Sequence, residues 1–274
     1  MRTRIITIST LAFFVIFCFM IDGQVLFGEG GIVNGQTNDI DLLSYQSSIH
    51  KLSTLVGIGE GLMLKLLILT FGLSFFMILA DKLVVLSSVS MWFIYWTICN
   101  SGIGYAYGAD YFMTYLLFYN ILLCIFRNKK DSHRNLLLML QLHLCVVYFF
   151  AGLGKMVGMD WWDGNALWNV INTFGVDFFK DKAEMFLGFS PVLQLLSIMT
   201  IIIELCYPVL IYYKRTRIFA LISVIAMHTG IAVIMGFYTF GLVLIIMNLI
   251  AFGHYLNVKN PLDLLRPQPK LQVE

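Results

Sequence analysis

Long apolar blocks dominate this sequence and limit what it can fold into. Hydrophobic residues make up 59% of its 274 residues and charged residues only 12%, whereas soluble domains carry about 25% charged residues. Apolar blocks of about 18 residues or more are typical of transmembrane helices. We therefore predict an all-α membrane protein, a bundle of about eight transmembrane helices. The predicted spans are residues 5–22, 61–80, 83–103, 110–126, 135–155, 192–212, 217–236 and 238–255.

The spans indicate a single transmembrane domain over residues 1–274. Residues 1–60 would hold the first helix and a Gly-rich outer loop, residues 61–255 the core bundle, and residues 256–274 a cytoplasmic tail. The first helix starts like a signal peptide but has no small-residue cleavage pattern, so we expect it to be retained. The last two spans are separated by a very short turn, which predicts a tight helical hairpin.

The positive charges predict the orientation in the membrane. With a cytoplasmic N-terminus, the inner segments hold thirteen of the 18 Lys and Arg residues and the outer segments hold four. Such an excess is the positive-inside pattern. We therefore expect a multi-pass protein of the cell membrane with both termini in the cytoplasm.

The outer loop before the sixth span, residues 156–191, is rich in tryptophan. Trp161, Trp162 and Trp168 lie in it, and Asp163-Gly164-Asn165 offers a helix start. Apolar residues at helical spacing follow, which predicts a helix lying in the outer interface with its indoles at headgroup depth. A plain aromatic anchor is the alternative.

The fifth predicted span carries a polar stripe. Gln141, Tyr148 and Lys155 recur every seven residues and therefore lie on one helix face. Desolvation in an apolar, aromatic-lined pocket favours a neutral lysine, which could act as a general base. Alternatively, Lys155 extends to the headgroups or pairs with Asp160 or Asp163.

Two more ionisable residues lie inside predicted spans. Glu204 is near the middle of the sixth span, and His228 is in the middle of the seventh. Charge at the bilayer centre costs about 2.5–3.5 kcal/mol on insertion scales, so such residues must be paired or functional. A Glu204–His228 pair would satisfy both residues, either as a structural hydrogen bond or as a proton-handling pair.

Several classes of function find no support in the sequence. The net charge of +2 does not suggest a nucleic-acid partner. The five cysteines fall in apolar blocks without a CxxC pair, and no metal-ligand spacing is present. We therefore expect no disulfide framework and no metal site.

The stretch from Gln141 through Tyr148 to Lys155, continuing through Trp161-Trp162-Asp163-Gly164, resembles the HTTM domain. Vitamin K-dependent γ-carboxylases and many bacterial proteins share this transmembrane domain. Glu204 in an apolar span and the His228-Thr-Gly-Ile segment also fit the pattern. The resemblance extends over most of residues 61–255.

In size and in its short tail, the chain looks most like the SdpB-like bacterial group. That likeness implies a role in maturation of a secreted peptide, together with a partner maturation protein. The γ-carboxylase likeness implies that Lys155 acts as a base and that a lipid quinone is a candidate cofactor. Because few residues follow the last predicted span, however, we expect no counterpart of the lumenal domain with which carboxylases bind their protein substrate.

These observations leave three hypotheses open. The first is an SdpB-like protein that matures a secreted peptide. The second is a transporter or immunity-type protein without chemistry, and the third is a quinone-using redox or carboxylase-like enzyme. The first assigns catalysis to Lys155 and Tyr148. Its substrate-binding residues are Gln141, Trp161, Trp162, Asp163 and Gly164.

Overall fold

The computed structural model of this protein describes residues 2–27, 48–101, 108–178 and 190–256. All the regular structure in these ranges is helical. The predicted all-α membrane bundle is thereby confirmed. The α-helices are α1 (Arg2–Phe27), α2 (Ser48–Val56), α3 (Glu60–Leu79), α4 (Val84–Cys99), α5 (Gly108–Ile125), α6 (Lys130–Val157), α7 (Met159–Trp162), α8 (Asn165–Phe174), α9 (Ser190–Leu210), α10 (Arg217–Met235) and α11 (Tyr238–Phe252).

Seven helices in the described ranges are long and apolar enough to cross a membrane. They correspond to seven of the predicted spans. The remaining span, 83–103, is occupied by α4, which has 16 residues. A helix of that length measures about 24 Å, less than the roughly 30 Å of a bilayer's hydrocarbon core.

The surfaces of these helices are suited to lipid. Only 22% of the most apolar stretch of α10 is buried, and 33% of that of α3 is buried. Large side chains such as Leu69, Phe76 and Phe219 lie exposed on these two helices. Apolar surface on this scale would be unfavourable in water, so it is accounted for by hydrocarbon around the helices.

The chain divides into two compact units, Met1–Leu136 and Leu137–Glu274. In the first unit, α4 packs against both α3 and α5, and α1 packs against α3 and α5. Phe13 of α1 stacks on Phe75 of α3 with ring centroids 4.5 Å apart. Deep in this core, the Asn120 amide of α5 donates a 3.1 Å hydrogen bond to the Ser9 hydroxyl of α1.

The second unit contains most of α6 and all of α7 to α11. Its α10 and α11 form the predicted tight hairpin, turning at Gly236 with a φ of 76°. The predicted outer-loop helix is present as α8, and its Leu167 and Ile171 are buried with Leu193 of α9. The proposed tail, residues 256–274, lies outside the described residues apart from its first residue.

We expect α4 to cross the membrane despite its length. Only residues 80–83 separate it from α3, so the two packed helices run antiparallel, and α4 must return the chain across the bilayer. An even number of crossings then places both termini on one side. Reporter fusions at the N-terminus and after residue 274 should both be active only in the cytoplasm, and opposite locations would contradict the prediction.

Close helix packing in the α10–α11 hairpin gives a stability prediction. A Cβ added at Gly241 would lie 2.6 Å from the His228 carbonyl oxygen, whereas one added at Gly230 meets nothing within 4 Å. Overpacking of this kind costs about 1–3 kcal/mol. Gly241→Ala should therefore lower the midpoint of thermal unfolding in detergent, and Gly230→Ala, the matched control, should not. Equal midpoints would contradict this packing.

Candidate functional site

The polar stripe of α6 contacts three different partners at three depths. Gln141 donates a 2.7 Å hydrogen bond from Nε2 to the Ala251 carbonyl of α11. Tyr148 bonds to His228 of α10, and Lys155 bonds to Glu204 of α9. Seven residues of helix rise about 10 Å, so the three contacts form successive levels along one face.

Lys155 and Glu204 form an ion pair in this unit. Lys155 Nζ lies 2.6 Å from Glu204 Oε2, and the side chains are 22% and 7% exposed, respectively. The same ammonium lies 5.1 Å from the ring centroid of Trp161, within the range of a cation–π interaction. The more accessible member of the pair is thus the lysine, and the carboxylate lies behind it.

Gly152 leaves the space that lets this ion pair form. A Cβ at residue 152 would lie 2.8 Å from the Leu205 backbone nitrogen and 3.1 Å from Glu204 Cβ. The absence of a side chain lets α9 approach α6 closely at this level. Side chains on a helix lean towards its N-terminus, so Lys155 extends back over the turn that contains Gly152 and meets Glu204 there.

The next level is a network of neutral polar groups. Asn248 Nδ2 donates to Tyr148 Oη at 2.6 Å and to the Leu244 carbonyl at 2.8 Å. Tyr207 donates its hydroxyl to Asn248 Oδ1 at 2.7 Å. Tyr148 Oη lies 2.8 Å from His228 Nε2. All four side chains that form the network are buried.

The Leu244 carbonyl fixes the direction of this network. Because a carbonyl only accepts, the Asn248 atom facing it must be the amide nitrogen, which also donates to Tyr148. The Tyr148 proton is then available for His228 Nε2, which acts as the acceptor. A neutral histidine that accepts at Nε2 carries its proton on Nδ1. That buried Nδ1–H has no hydrogen-bond partner among the described residues.

The expected Glu204–His228 pair is corrected by these contacts. Glu204 bonds to Lys155, and His228 bonds to Tyr148. Pairing the carboxylate with an ammonium neutralises a buried charge, which a hydrogen bond to neutral histidine does not do. Sequence spacing missed this partner because Lys155 and Glu204 are 49 residues apart and lie on different helices.

The outer-loop residues have structural contacts of their own. Trp162 donates its indole N–H to the Met156 carbonyl, and the Asp163 carboxylate accepts from the backbone and side chain of Asn165. Gly164, with a φ of 86°, packs so closely that a Cβ would lie 2.7 Å from the Gln194 nitrogen. The hydrogen bonds fix the turn into α8, and the close approach at Gly164 packs that turn against α9. Of the aromatic candidates in this turn, Trp161 is the one whose ring contacts the Lys155 ammonium.

Two residues at the centre of the network received little weight in the sequence. Neither Asn248 nor Tyr207 was among the predicted site residues. The available signal was a polar group inside an apolar helix, which must find a partner when buried. Tyrosine at Tyr207 gives a weak signal because it is common near membrane interfaces.

The site therefore combines a lysine–carboxylate pair with a fixed hydrogen-bond donor. Lysine and glutamate in contact can exchange one proton along their hydrogen bond, and His228 offers an N–H with no acceptor among the described residues. No group of three or more His, Cys, Asp or Glu side chains in the described ranges is arranged to hold a metal ion.

The ion pair gives a prediction about stability. Lys155→Met leaves the buried Glu204 carboxylate without its cation, so we expect a loss of about 1–3 kcal/mol. Glu204→Gln should cost less, because the more exposed lysine can reach water. The double variant should be more stable than Lys155→Met alone. Thermal unfolding in detergent measures each change.

Two controls make this cycle specific. Lys65→Met applies the same substitution to an exposed lysine of α3 and should leave stability nearly unchanged. Lowering the pH should reduce the loss of stability caused by Lys155→Met, because protonation removes the buried negative charge of Glu204. If the double variant loses as much stability as the two single variants together, the interaction between Lys155 and Glu204 contributes nothing to stability.

The comparisons with known proteins give one family match. No curated protein and no solved structure gives a significant match. The family model described as the HTTM domain matches residues 124–254, a narrower range than the predicted 61–255. That range contains every residue of the ion pair and of the neutral network. The match supports the HTTM family for this chain, which implies a membrane protein related to the carboxylases.

Proposed function

We propose that this protein acts in the membrane on the maturation of a secreted peptide, with Lys155 as the group that accepts a proton from the substrate. The observation that carries the chemical part is the 2.6 Å contact between Lys155 Nζ and the more deeply buried Glu204 carboxylate. The peptide part rests on the resemblance to the SdpB-like group. A partner maturation protein belongs to this proposal.

The proton transfer uses both members of the pair. Movement of one ammonium proton from Lys155 to Glu204 gives a neutral amine beside a neutral carboxylic acid. The amine then accepts a proton from an acidic position of the substrate and becomes an ammonium ion again. That ammonium stabilises the substrate anion through charge. The proton on Glu204 later leaves for solvent or product, which restores the starting pair.

The neutral network presents a hydrogen-bond donor, which favours a substrate or cofactor that carries a hydrogen-bond acceptor. The Nδ1–H of His228 is held in its tautomer by Tyr148 and Asn248, which is the preorganisation that a fixed donor requires. A carbonyl oxygen, whether of a peptide or of a lipid quinone, is the complementary group. Trp161 and Trp162 would provide aromatic surface beside the amine, and Gln141, further along α6, would position α11.

The proposed location is the outer side of a bacterial cell membrane. The excess of Lys and Arg in the predicted inner segments supports a cytoplasmic location for both termini. The C-terminal end of α6, which carries Lys155, then faces outwards. A secreted peptide would reach the amine from that side.

Lys155→Arg separates proton transfer from charge. Arginine keeps the positive charge and can pair with Glu204, but it does not lose its proton in proteins. We expect mature secreted peptide to fall by about 100-fold or more, the usual contribution of a general base. The measurement is comparative mass spectrometry of the peptides secreted by cells that produce each variant in place of the wild-type protein.

Lys65→Arg is the matched control for that experiment and should leave maturation unchanged. Both variants should first show the wild-type unfolding midpoint. Full maturation by Lys155→Arg would mean that a fixed positive charge suffices, and the base assignment would then be wrong. Unchanged secreted peptides after deletion of the whole protein would reject the maturation role itself.

A further inference from the structure

The other compact unit contains a cavity whose lining residues have no role in the proposed function. We propose that a cavity at the start of α1 and α4 binds the phosphate of an anionic phospholipid. The cavity has a volume of about 250 Å³. Its lining residues, all within the first unit, are Arg2, Ile5, Ile6, Ile78, Asp81, Val84, Arg127 and Asn128.

The lining is polar at one side and apolar at the other. Arg2, Arg127 and Asn128 supply N–H donors, and guanidinium groups match phosphate oxygens in charge and geometry. Ile5, Ile78 and Val84 are buried aliphatic side chains. A small pocket with both kinds of wall suits a headgroup phosphate whose ester and glycerol carbons lie against the isoleucines.

The charges leave a net positive lining. Arg127 Nη1 donates to Asp81 Oδ1 at 2.7 Å, which neutralises the one carboxylate in the wall. That contact uses one of the five N–H donors of the guanidinium. Arg2 has no side-chain hydrogen bond or ion pair with any residue that the structure describes. Its guanidinium lines the cavity, which adds a second positive charge to the wall.

The turn that supplies Asp81 has an unusual backbone. Asp81 has a φ of 58° and Leu83 has a φ of 47°, conformations that side-chain-bearing residues rarely adopt. Strained residues of this kind often cluster at ligand sites. Leu83 also precedes α4 without a side-chain cap, so N–H groups of the first turn of α4 remain available next to Val84.

The depth of the site favours a lipid over a free anion. The same end of the unit carries Arg4, hydrogen-bonded to His133, and Lys82 and Lys129, all in segments predicted to be cytoplasmic. Anionic phospholipid headgroups lie at this boundary and attract basic segments. The aliphatic wall would gain nothing from inorganic phosphate but would cover the first carbons of a lipid.

Native mass spectrometry of the full chain in detergent tests the proposal. Phosphatidylglycerol should bind the protein at a lower lipid concentration than phosphatidylcholine does. Inorganic phosphate, added at the same concentration as phosphatidylglycerol, should not displace that lipid. Arg2→Gln combined with Arg127→Gln should weaken phosphatidylglycerol binding about tenfold or more, since each arginine near an anionic surface contributes about 1 kcal/mol. Equal retention of both lipids, or displacement by inorganic phosphate, would overturn the proposal.

Two further variants guard against loss of folding. Lys214→Gln combined with Arg215→Gln removes two charges from the same predicted side without touching the cavity, and should bind phosphatidylglycerol like the wild type. Asp81→Asn removes the carboxylate and frees Arg127, so it should bind phosphatidylglycerol more tightly. Weaker binding by Asp81→Asn, with an unchanged unfolding midpoint, would also overturn the site.

Discussion

The absence of water inside a bilayer controls the arrangement of the second unit. A polar group placed among apolar helices must find its partner on a neighbouring helix, because the hydrocarbon offers none. Gln141, Tyr148 and Lys155 all find such partners, on α11, on α10 and on α9, respectively. One face of α6 therefore specifies how three other helices pack around it.

Small residues let the helices approach closely enough for these polar contacts to form. Gly152 brings α9 against α6 beside the ion pair, and Gly241 brings α11 against the His228 carbonyl. Between lipid-surrounded helices, close packing and hydrogen bonds replace the hydrophobic force that drives association in water. The glycines and the polar groups thus act together, since either without the other would leave a void or an unsatisfied group.

The two levels of the site differ in kind. The Lys155–Glu204 level is charged and partly accessible, whereas the Tyr148–Asn248 level is neutral and buried. A charged pair at an accessible level can exchange protons with a substrate. A neutral network with every internal donor directed can hold one histidine tautomer without moving charge. This separation of proton exchange from orientation is what the proposed chemistry requires.

The arginine-lined cavity of the first unit follows a different principle. There, Arg127 is paired with Asp81, and aliphatic side chains of α1, α3 and α4 complete the lining. Basic residues in the inner segments are usually credited with setting orientation. In this unit some of them also line a cavity, so the same charges can both orient the chain and hold a headgroup.

The sequence by itself determined the class of fold, seven of the eight spans, the α10–α11 hairpin and the outer-loop helix. Apolar length and helical period suffice for these features, because they are local. Only the tertiary structure decided which polar residues meet. Glu204 was expected beside His228 and lies beside Lys155 instead. Asn248 and Tyr207 belong to the network although the sequence did not predict them as site residues. Partner choice depends on the rotation and depth of each helix, which are set by close contacts such as Gly152 against Leu205 and which no periodicity in a single chain encodes.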